Sequence, residues 1–263
     1  MARSPAGAGR LLLTAAAALW VGTAGTACGE TPYSDAELER GFRLTVFDVE
    51  AGGGGGIVKK FAVPVRYRIV SSAAIDWSGT VRAFAAALDG AVAHLSLTEA
   101  AAGEAANMTI FLVDRAGYAE TIARSVPAHV DRAFLERNAC SAIIAARPSG
   151  IDSALVFIVV DEGFRAFSHC LVEEVAQSLG PANDSDELTD SIFNDGSELA
   201  TLGVFDWFIL SMLYDPRIKP GMTAAEVLPL LPAVIVAARG RLERLVTEGS
   251  PALAHALRNH GGP

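Results

Sequence analysis

The chain predicts an α+β fold, and two observations carry that prediction. Short runs with strand-like alternation or continuous apolar character recur between residues 59 and 160, separated by helical patterns and turn residues, whereas the later elements, over 206–213 and 223–248, read as helix. No run in the body of the chain reaches membrane-spanning length, and 51% apolar residues is enough for a sizeable core.

Taken in order, residues 34–50 (SDAELERGFRLTVFDVE) begin with a helical pattern and continue as a strand-like stretch. Ala51 to Gly56 is a glycine break, because five consecutive glycines hold regular structure only at high entropic cost. Lys59 to Val70 (KKFAVPVRYRIV) alternates like a strand, and Pro64 inside it predicts an edge or bulged one. Thr80 to Leu95 places Val81, Phe84, Ala85, Leu88, Val92 and Leu95 near one helical face. Met108 to Val113 (MTIFLV) is a short buried strand. Residues 127–138 are helical, with Pro127 suited to a first turn. Ser141 to Ala146 and Ala154 to Val160 are two strands split by the Pro148-Ser149-Gly150 turn. A helix over 164–179 stops at Gly180-Pro181. An acidic turn-rich stretch spans 183–195, then come a helix over 206–213, C-terminal helices over 223–248, and a loose tail over 249–263.

The N-terminus reads as an export signal over residues 1–27. Arg3 and Arg10 precede the apolar run Leu11 to Val21, and small residues follow it. Residues 28–56 then form a linker with the first elements, and 57–248 the folded body. Cys28 stands where a lipoprotein cysteine would stand, although the residue three positions upstream is Gly25, so a lipid anchor there is the one membrane contact considered. The reading is therefore an exported protein of the periplasm or cell envelope. Export would leave Cys140 and Cys170 as a pair in an oxidising compartment, which points to a disulfide between them; two buried free thiols are the alternative. The net charge of −9 becomes −11 once Arg3 and Arg10 are removed, and with no Lys/Arg cluster this excludes nucleic acid as a partner.

The helix FSHCLVEEVAQSLG carries the functional question. At about 100° per residue, Cys170, Glu173, Glu174 and Gln177 share one arc, while Leu171, Val172, Val175 and Leu179 oppose them. A solvated polar face is the plain account of that arc. The order of elements and the run from Glu173 to Asn183 resemble the extended HExxHxxGxxH motif of metzincin metallopeptidases, with SIFND (191–195) resembling the Met-turn and DWFILSMLY (206–214) the matrixin-like helix after it. Together, PVRYRIV, HCLVEEVAQSLG, ANDSD, SIFND and LYDPRIKPGM also resemble the bacterial family called domain of unknown function 2927, over most of residues 38–235.

These resemblances imply a zincin-like domain with a mixed, mostly parallel sheet of four to five strands packed on helices. They put Glu174 at the general base and Glu173, Gln177 and Asn183 at the metal ligands. Neutral amides are poor zinc ligands, and no two of the five histidines are spaced i, i+4, so no metal is the stronger expectation and zinc the weaker. His169, four residues before Glu173, with Asp184 or Asp186 would be a shifted site; a structural His169 is the better account. Asp184, Asp186 and Glu187 lack EF-hand spacing and read as a solvated turn. Three functional readings follow: an inactive zincin-like scaffold that binds a peptide or protein in its cleft, an active metallohydrolase with unusual ligands, and a structural envelope protein.

Overall fold

A computed structural model describes residues 32–47, 56–126, 137–194, 196–251, and 253, 254 and 256. The export signal, Cys28, most of the glycine run, residues 127–136 of the expected helix, and His129, His255 and His260 lie outside the described residues. Five strands form one sheet: β1 (Val65–Ser71), β2 (Leu97–Glu99), β3 (Met108–Val113), β4 (Cys140–Arg147) and β5 (Gly150–Val159). Their order is β2-β1-β3-β5-β4, parallel at every step except the antiparallel β4–β5 pair. The expectation of a mixed, mostly parallel sheet flanked by helices and followed by helices is met.

Alternation along β3 and β5 separates two apolar layers. Met108, Ile110, Leu112, Val156 and Ile158 face the larger core, while Val113, Phe157 and Val159 face Tyr118 and Ile122 of α3 (Arg115–Ser125). The larger core is closed by α2 (Ser78–Ala91), through Val81, Ala85 and Leu88, and by α4 (Phe164–Ser178), through Leu171, Val172 and Val175. A helical group of α1 (Asp35–Val46), α5 (Val204–Leu213) and α7 (Leu231–Thr247) extends it, with the single turn α6 (Ala224–Val227) leading into α7.

The structure corrects three expectations and adds two elements. The strand-like continuation expected within residues 34–50 is helix as far as Val46: Ser34 and Glu37 form a capping box, and Leu38, Phe42 and Val46 bury one stripe at i, i+4, i+8. Pro64 does not mark an edge or bulged strand. It sits just before β1, where a missing N–H costs no ladder bond, and β1 lies between β2 and β3. Helix α3 and strand β2 were not anticipated, since α3 buries only Tyr118, Thr121 and Ile122 and β2 is three residues long. Beyond Gly249, Leu253 and Ala256 are buried in the core, so the chain is packed at these positions.

Cys140 at the start of β4 is bonded to Cys170 in α4, with Cα atoms 5.7 Å apart and a sequence separation of 30. Closing a loop of that size contributes on the order of 3 kcal/mol in the chain-entropy account. The bond ties the outermost strand to the helix beneath it, and it fits a chain that matures outside the reducing cytoplasm.

Candidate functional site

The polar arc of α4 does not face open water. It lies against β4, and the Cys140–Cys170 bond sits in its middle. Glu174 is 7% exposed and makes no hydrogen bond or ion pair with a described residue. Burial, then the charges of Glu173 and Asp184, push its carboxyl well above the usual range. The account of this arc as simply solvated therefore fails at Glu174. The carboxylate oxygens of Glu173 and Glu174 and the sulfur of Cys140 lie within 4.8 Å of one another.

The flanking groups fix the rest. His169 reaches the carbonyl of Leu199 through Nδ1 at 2.7 Å and Glu173 Oε2 through Nε2 at 3.1 Å, one helical turn on. The Glu173 bond, seconded by the Leu199 carbonyl, raises the His169 pKa above its ordinary value. Gln177 Nε2 donates to Asp184 Oδ2 at 2.8 Å. Asn183 Nδ2 donates to the Thr45 carbonyl at the end of α1 at 3.2 Å. Asp186 and Glu187 are exposed, and Glu187 pairs with Arg40.

Two positioning groups escaped the sequence reading. Asp206, fully buried at the third position of α5, accepts from Ser191 Oγ at 2.6 Å, from the Ile192 backbone at 3.2 Å and from the Gly203 backbone at 2.7 Å. It pins the 191–193 turn, and the Phe193 carbonyl in turn accepts from Ser185 N, next to Asp184. An acid three residues into a helix is a readable capping signal, but Gly203 hid it by offering no side-chain cap. Tyr118 donates to Ser141 Oγ at 3.0 Å under β4, and burial raises its pKa to about 12.

The site brings together Glu173, Glu174, Gln177, Asp184, His169 and the disulfide. Two of the three zinc ligands that the motif resemblance implies, Gln177 and Asn183, are amides. They donate through their amide nitrogens to Asp184 and Thr45 and would offer a metal only neutral amide oxygens, which are poor zinc ligands, and the sulfurs are bonded to each other and carry no charge. No step through a metal is derived from this arrangement. A cavity of about 630 Å³ does exist beside α4, but on its other side, lined by Phe84, Phe164, Leu171, Val172 and Trp207 among others and by none of the polar arc.

The burial of Glu174 gives a first test. In the oxidised protein, Glu174→Met should raise stability at pH 8 by about 1–2 kcal/mol, because a buried carboxylate without a partner is removed at nearly constant volume. The sign follows from the raised pKa. A protonated Glu174 favours the fold below its unfolded pKa, and that contribution is lost as pH rises through the folded value. The gain should therefore shrink at pH 5, and equal gains at both pH values in urea titrations would refute the buried carboxyl.

A family described as Protein of unknown function (DUF2927) matches residues 35–233. No curated protein and no solved structure matches the chain.

Proposed function

The chain belongs to the DUF2927 family, which leaves its chemistry to be read from its own residues, and from them we propose a non-catalytic binding scaffold, exported by residues 1–27, that captures an extended peptide segment of a protein partner. The observation that carries this reading is the open edge of β4. It is the outermost strand of the described sheet, and the disulfide fastens it beside the carboxylates of α4. Val159 N donates to the Ala139 carbonyl, so by alternation residues 141, 143 and 145 bond to β5. Ala142 and Ile144 then turn their N–H and C=O groups to the open side. An added strand can pair there, with specificity set by side chains above and below. Glu173, Asp184 and the acidic turn after it favour a segment carrying Lys or Arg.

The zincin-like plan supports the same reading. Strand, helix, two strands, helix, two strands and then a helix ended by Gly180 is an order compatible with that scaffold, and two of the three ligand positions hold amides, which do not bind zinc well. Glu174 would stand where the general base stands, without a metal-bound water to activate. Anchoring at Cys28 would place the scaffold on a membrane surface, and Cys28→Ser would then free it.

Ala142→Pro tests the edge. Proline removes an outward N–H and leaves the bonds to β5 intact, so the variant should fold and melt within about 1 kcal/mol of the parent. Binding to peptides selected from a displayed library should fall at least about tenfold. Unchanged binding would refute strand addition. Stoichiometric zinc in protein purified without a histidine tag and without reductant, together with peptide hydrolysis, would replace this reading with a metallopeptidase.

A further inference from the structure

We propose that reduction of the Cys140–Cys170 disulfide creates a zinc site whose four donors are the two freed thiolates and the carboxylates of Glu173 and Glu174. The inference goes beyond the peptide-binding reading and does not depend on it. Cys170, Glu173 and Glu174 stand at i, i+3 and i+4 of α4, so one helical turn presents all three in one direction, and Cys140 faces them from β4. With zinc–sulfur bonds of about 2.3 Å and zinc–oxygen bonds of about 2.1 Å, tetrahedral donors stand about 3.4–3.8 Å apart. The Cys140 sulfur and the two carboxylates already lie within 4.8 Å of one another.

Two further observations support a ligand here. Glu174 is nine-tenths buried with no hydrogen bond or ion pair to a described residue, a cost that a cation would relieve. Glu173 is held from behind, since His169 occupies Oε2 and is itself fixed by the Leu199 carbonyl, which leaves the other oxygen available. Outer contacts of this kind orient metal-binding carboxylates. What the oxidised state lacks is anionic sulfur, because two sulfurs bonded to each other are neutral and neither is a thiolate.

The chemistry balances with a dithiol as reductant. Its thiolate attacks one sulfur of the disulfide, its second thiol releases the other, and the products are two protein thiols and a cyclic disulfide. Zinc then displaces the two thiol protons. Cys140, on the outermost strand of the described sheet, is the less buried of the two cysteines.

Zinc ion alone is the probe, added to the mature protein without a histidine tag, either oxidised or reduced by a phosphine. The phosphine takes the oxygen of one water as the two sulfurs take its protons. Competition against a chromophoric chelator should show one zinc per reduced chain, bound at least 100-fold more tightly than by the oxidised chain. Cobalt should give a thiolate charge-transfer band only after reduction, and zinc should raise the melting temperature of the reduced form alone. Cys170→Ser should remove the difference between the two states. Glu174→Gln, with its thiols intact, should weaken binding at least tenfold. Equal affinity in both redox states overturns the proposal. So does reduced-state binding that neither Glu173→Gln nor Glu174→Gln alters, and so does reduced protein that stays unfolded with zinc present.

Discussion

Gly180→Ala is expected to cost about 4 kcal/mol, close to the whole stability of a marginal domain. Gly180 ends α4 with φ at +136°, a conformation that side chains rarely adopt. A Cβ there would meet the Lys59 carbonyl oxygen at 2.1 Å and Leu213 Cδ2 at 2.9 Å. Neither neighbour can give way cheaply. The Lys59 contact is backbone, and the next residue, Lys60, is buried with Nζ donating to the Leu213 carbonyl at 2.8 Å, its pKa lowered to about 8 by burial. Gly249→Ala separates the two costs, because it also requires a positive φ, +74°, but meets nothing within 4 Å. It should cost about 1 kcal/mol. Urea unfolding of the two variants measures the difference, and equal losses would mean that the close approach to Lys59 contributes nothing.

Helix ends and buried strands were legible in the chain because their signals are local. Gly180 announced the end of α4, Pro148-Ser149 announced the β4–β5 turn, and MTIFLV announced β3. Misreadings arose where tertiary contacts decide. The later part of residues 34–50 reads as strand-like, yet Phe42 and Val46 are drawn into the core as a helical stripe. Pro64 argued for an edge, and only the pairing of β2 outside β1 shows that the strand is interior.

The site was half legible. Helical periodicity grouped Cys170, Glu173, Glu174 and Gln177, and cysteine parity paired Cys140 with Cys170. What periodicity cannot reveal is which element covers a polar face. That β4 lies over Glu174, and turns a carboxylate that looked solvated into a buried one, depends on where a strand 30 residues earlier is placed. The engagement of Gln177 with Asp184 and of Asn183 with Thr45 likewise depends on where the 183–194 loop runs.

That loop is controlled from a distance, and the second large effect is expected there. Asp206→Ala should cost about 4 kcal/mol, since it strands three donors in the core: the Ser191 hydroxyl and the backbone N–H groups of Ile192 and Gly203. Asp206→Asn keeps the shape but offers a single acceptor oxygen, and should cost about 2 kcal/mol. Burial pushes the Asp206 carboxyl up from 3.8 to about 7, against those three donors, which favour the charged form. The protonated form therefore favours the fold in full below about pH 4, and that contribution is lost as pH rises through about 7. Parent protein should lose part of its stability between pH 5 and pH 8, and the Asn variant less of it. Amide exchange supplies the local readout. Ile192 N–H should exchange far faster in the Ala variant, and the slack should reach Ser185 through its bond to the Phe193 carbonyl, loosening Asp184 beside Gln177. Peptide capture at the β4 edge should then weaken without any change in β4 itself. An Asp206→Ala protein that melts with the parent and keeps Ile192 protected would show that the turn is held by something other than this carboxyl.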